Sequence, residues 1–67
     1  MTPATERALW AAHAASQALH EAHTAFNDAG LTESAALLHQ AGEQVFIALG
    51  MLARAEGERR KAAEVTS

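Results

Sequence analysis

A chain of 67 residues with a formal net charge of -3 and no cysteine holds one small domain at most. Eighteen residues are alanine, which leaves 15 larger apolar side chains: seven Leu, two Met, two Val, two Phe, one Ile and one Trp. So few cannot fill a substantial core. Chains this short lean on disulfides, a metal or a partner chain, and without cysteine the expectation narrows to self-association or a bound ion.

The first helix is predicted over residues 3–29. Thr2 is placed to cap it and Pro3 to occupy its first position, where the missing N–H is not needed. No Gly or Pro interrupts the strongly helix-forming residues that follow, up to Ala29. Gly30 then fits the left-handed residue after a helix end, and Leu31 is expected to fold back towards Phe26, as in a Schellman motif. Thr32 is expected to cap a second helix over residues 33–61, with Glu33 favourable against its dipole. Residues 62–67 read as a frayed tail of the same 1–67 domain. So short a loop makes the two helices antiparallel neighbours, with residues of equal height adding to about 61.

Helical periodicity places Ala8, Ala11, Ala15, Leu19, Ala22 and Phe26 on one face of the first helix, flanked by Ala12, Ala18 and Ala25. The matching stripe of the second helix is Leu38, Ala41, Val45, Ala48 and Leu52, with Leu37 and Leu49 beside it. Small side chains on one helix thus face large ones on the other. Trp10 and Leu9 fall off the first stripe, and Phe46, Ile47 and Met51 fall off the second. Near residues 45–53 the second helix is apolar almost all round, the pattern of a helix covered on several sides. A single hairpin cannot cover it. The fold class read from this is all-α: an antiparallel helical hairpin assembling as a dimeric four-helix bundle, with Trp10, Phe46, Ile47 and Met51 as interface residues.

This layout resembles the Rop family of plasmid regulators, whose helical hairpins dimerise into four-helix bundles. The resemblance spans roughly residues 1–56. It is carried by Met1-Thr2, Ala8-Leu9, the turn near Asn27, and the stripe Ala8, Ala12, Ala15, Leu19, Ala22, Phe26 answered by Leu38, Ala41, Val45, Ala48, Leu52. It implies the hairpin fold, and RNA binding through the outer face of the first helix. Here that face carries Arg7 as its one basic residue, with His13, Gln17, His20, Glu21 and Thr24.

Two other chemistries are readable. Four histidines are many for this length, and His20 and His23 are three apart, a spacing that lets one helix chelate a zinc or nickel ion. His39 falls at the height of His23 and completes a candidate metal set of His20, His23 and His39; the ordinary reading is solvated histidines on a polar face. Charge is uneven: residues 1–53 carry five acids against Arg7, whereas residues 54–67 carry four bases against three acids. Arg59, Arg60 and Lys61 are a candidate nucleic-acid contact, although cations also suit a helix C-terminus and Glu56 is spaced to pair with Arg60. In an acidic chain this makes nucleic acid a poor candidate partner. Ser16 and Ser34 lack a nucleophile signature, and Gly42, Gly50 and Gly57 lie along a helix rather than in a phosphate loop, as expected of close-packing points. No enzyme, no resident cofactor and no membrane partner are therefore expected. The longest apolar or glycine run is nine residues, against about 20 for a span. No signal-peptide pattern opens the chain, and the lack of cysteine fits the cytoplasm. The expected function is a regulatory interaction module that self-associates and docks another protein. A metal-binding bundle and a Rop-like nucleic-acid binder are the alternatives.

Overall fold

The computed structural model describes residues 1–66; Ser67 lies outside them, and of Thr66 only the backbone is described. Two helices, α1 (Pro3–Asp28) and α2 (Thr32–Thr66), pack against each other as a hairpin. The entry to α1 follows the capping chemistry of Thr2: its backbone is extended, and the Thr5 N–H donates to Thr2 Oγ1 at 3.1 Å. The exit is a complete Schellman motif. Leu31 N–H donates to Phe26 O at 2.9 Å, Gly30 N–H donates to Asn27 O at 3.0 Å, and Gly30 sits at φ +80°, where a Cβ would be strained.

The start of α2 differs from expectation. Ala35 N–H donates to Leu31 O at 2.9 Å, which makes Leu31 the cap and Thr32 the first helical residue. The motif that ends α1 thus runs directly into α2. At the far end α2 is helical to Thr66, past the expected boundary near Lys61.

The half-buried positions define the contact between the helices. On α1 they include Thr5, Leu9, Ala12, Ser16, Leu19 and His23; on α2 they include Leu38, Gly42, Val45, Leu49, Leu52 and Glu56. Across the pair the His23 and His39 rings lie 5.5 Å apart, close to the predicted register. The rotation of α1 does not match expectation. Ala8, Ala11, Ala15, Ala18 and Ala25 are exposed, and Leu9 is turned inward. Phe26, also expected on that face, is exposed; the stripe spaced four and three apart through Leu9 and Leu19 draws both leucines partly out of water, at about 0.8 kcal/mol per buried methylene, while the expected face through Leu19 and Phe26 leaves Leu9 outside. On α2 the predicted stripe holds at Leu38, Ala41, Val45 and Leu52, joined by Leu49, but Ala48 and Leu37 are exposed.

The hairpin has almost no interior. Ala35, at 1% exposure, is the one buried apolar residue among those described. The molecule is a rod of 56 × 17 × 11 Å with a radius of gyration of 16.1 Å, against about 11 Å for a compact chain of this length. Register places Arg59 onward past the first turn of α1, so α2 overhangs it.

Candidate functional site

Two surfaces stand out. The first is apolar: Trp10 is 64% exposed, Phe46 76%, Ile47 55% and Met51 67%. All four lie outside the contact between the two helices, as expected. At 100° per residue, Ile47 and Met51 stand about 40° apart on α2, while Phe46 is about 100° from Ile47. Leu37, also largely exposed, extends the Met51 side. On α1 Trp10 stands beside His13, with ring centroids 6.2 Å apart.

The second surface is a half-open hollow of about 230 Å³ near the middle of the hairpin, adjoining Phe46. From α1 it is lined by Ser16, Leu19, His20 and His23, and from α2 by Leu38, His39, Gly42 and Glu43. Gly42 contributes no side chain to it. A Cβ built there would meet nothing within 4 Å, and the same holds at Gly50 and Gly57. The glycines are therefore not close-packing points within the hairpin.

The histidines are less independent than the sequence indicated. Turning α1 to bury Leu9 brings His23 into the contact stripe, where its ring lies 5.5 Å from that of His39, tilted by 44°. His23 Nε2 lies 3.3 Å from Asn27 Nδ2, and His39 Nε2 lies 3.0 Å from Glu43 Oε1. With the Asn27 amide as donor, His23 Nε2 must be the unprotonated nitrogen. The His39–Glu43 pair spans one helical turn and is well exposed, so its contribution is small. His20 lines the same hollow, and its carbonyl accepts from the Thr24 hydroxyl at 3.1 Å. Among the described residues, however, no three His, Asp or Glu side chains come together as a group able to hold a metal ion. Only His23 and His39 of the candidate metal set meet ring to ring.

Arg59, Arg60 and Lys61 occupy the overhang of α2. Consecutive helical residues diverge by 100°, so the three cations fan out instead of forming one strip. Glu56 pairs with Arg59, at 3.4 Å, and not with Arg60 as its spacing had led us to expect. Glu56 is held at the contact level of Thr5, with a side chain only 14% exposed, which keeps its carboxylate on the Arg59 side.

No protein-family model matches the chain, and comparison with curated proteins and with solved structures finds no significant match. The likeness to the Rop family accordingly extends to the antiparallel two-helix hairpin and no further. Among the described residues no helix is long and apolar enough to cross a membrane.

Proposed function

We propose that the chain is a cytoplasmic, non-enzymatic helical module with a regulatory role, whose hairpins associate with one another as a dimeric four-helix bundle through Trp10, Phe46, Ile47 and Met51. The observation that carries this reading is the amount of surface left open. The hairpin exposes 5311 Å², whereas a compact monomer of 7.1 kDa exposes about 4,100 Å². The excess, about 1,200 Å², exceeds the roughly 800 Å² that each partner contributes to a standard protein interface. Large apolar side chains, among them Trp10, Phe46, Ile47 and Met51, are exposed on it, and Ala35 is the one buried apolar residue among those described. A second copy supplies the missing layer.

The mass in solution tests this. Sedimentation equilibrium across a micromolar concentration range is expected to return a multiple of 7.1 kDa. A monomer that stays fully helical throughout would refute the proposal. Trp10→Ala is expected to weaken association and leave helix content at high concentration nearly unchanged, because the ring lies outside the hairpin contact; aromatic anchors of this kind often dominate interfaces. If association survives that change, Trp10 serves the docking of a different protein. The alternatives find less support: the histidines do not converge three at a time, and the basic residues do not share a face.

A further inference from the structure

We infer that Met51 is a site of oxidation by peroxides and that its sulfoxide releases the hairpins from one another, so that assembly responds to oxidant. This rests on the self-association proposed above, in which Met51 is an interface residue, and assigns its regulation. The chain has no cysteine, so no thiol competes for a peroxide, and its sulfur is that of Met1 and Met51. Both side chains are about two-thirds exposed in the separate hairpin. Met1 precedes α1 and lies outside both helices, whereas Met51 lies near the middle of α2, one turn beyond the exposed Ile47 and about 40° round the helix from it. One of the two sulfurs is therefore in the apolar patch and the other is not.

The step transfers one oxygen atom and two electrons. A lone pair of the Met51 sulfur attacks a peroxide oxygen, the O–O bond breaks, an S–O bond forms, and the second oxygen leaves as water, or as an alcohol where the oxidant is an organic hydroperoxide. The thioether is oxidised and the peroxide reduced. The product replaces a flexible apolar side chain by a polar, chiral one, a change that disrupts interfaces built on methionine. In the separate hairpin the new oxygen is hydrated. In a covered seam it needs a donor, and of the α2 neighbours one turn away Ile47, Ala48 and Ala55 have none in their side chains. Arg54, the fourth, would itself have to leave water to reach it, at a further penalty. Oxidation thus favours the separate form. It also acts on that form, where the sulfur is open to solvent, so each oxidised hairpin is withdrawn from the equilibrium and mass action draws more of the assembly apart.

The test uses the full chain. Hydrogen peroxide is added until mass spectrometry shows an added oxygen at both Met1 and Met51, and is then removed. In sedimentation equilibrium the apparent dissociation constant of the oxidised wild type is expected to rise by about tenfold or more. Met51→Leu keeps an apolar side chain of similar volume, and after the same treatment, with Met1 oxidised, its constant is expected to change by about twofold or less. Met51→Gln, polar without any oxidant, is expected to weaken association untreated. Equal association before and after oxidation, a response that persists in Met51→Leu, or a Met51→Gln variant that associates as the wild type does would each overturn the inference and leave the self-association reading standing. Circular dichroism of dilute, oxidised wild type must show an intact hairpin; loss of helix there would overturn the inference by placing the effect on folding. A monomer before treatment would remove both.

Discussion

Replacing Gly50 by Ala is expected to raise the stability of the hairpin. Gly50 lies in the middle of α2 and is exposed, and a Cβ added there meets nothing within 4 Å. The substitution therefore carries no steric term within the chain. What remains is the helix preference of Ala over Gly, about 1 kcal/mol. For a domain of this size that corresponds to a rise in Tm of roughly 4–8 °C. Gly57 is seven residues further on, about 10 Å along the axis, far enough for the two effects to add. The assay is thermal unfolding followed by circular dichroism, repeated over a hundredfold range of protein concentration. Dilution separates the hairpin from its assembled form, because only an associating species has a Tm that depends on concentration. A fall in Tm for Gly50→Ala under dilute, monomeric conditions would refute the reasoning. A rise when dilute with a fall when concentrated would place a helix of the second copy directly against residue 50.

Two further substitution and ligand experiments probe the rotation of α1 and the histidines. Leu9→Ala is expected to destabilise the hairpin by about 2 kcal/mol, the lower end of the range for truncating leucine because Leu9 is only half-buried, whereas Ala15→Ser is expected to change it by about 0.5 kcal/mol or less. The opposite order, read from denaturant midpoints, would restore the contact face through Ala8, Ala11 and Ala15. Excess zinc or nickel is expected to leave Tm unchanged, since among the described residues no three His, Asp or Glu side chains come together as a group able to hold a metal ion. A rise that tracks metal concentration and vanishes in His23→Ala would overturn that expectation.

Much of this hairpin is legible in the residues themselves. Thr2-Pro3 and Gly30 act locally, through one cap and one positive φ, so the start of α1 and the turn follow from a few side chains. Register follows from the turn, which is why His23 and His39, predicted at one height, meet across the pair. Rotation about the α1 axis is not local. With alanine at so many positions, several faces are almost equally good, and the choice depends on whether Leu9 finds a neighbour across the gap. The histidine hollow inherits that uncertainty, because His23 enters the contact only once α1 has turned. Gly42 is readable as a small residue but not as part of the lining of a hollow. Whether a glycine marks close approach or empty space depends on what the other helix places opposite.

The unequal lengths of the two helices give the rod a polarity. At one end is the tight turn through Gly30; at the other the overhang of α2 carries Arg59, Arg60 and Lys61. Two such rods can pair around a dyad parallel to their length or perpendicular to it. The parallel arrangement sets both tips side by side, each with Arg59, Arg60 and Lys61 between Glu58 and Glu64, and leaves both overhanging segments without a flanking α1. The perpendicular one sends the tips to opposite poles, about 56 Å apart, a distance at which salt screens their repulsion almost completely. It also lays each overhang alongside or beyond the turn of the other copy. If hairpins pair as proposed, a perpendicular dyad would therefore give the assembly one overhang at each end, and a parallel dyad would gather both at the same end.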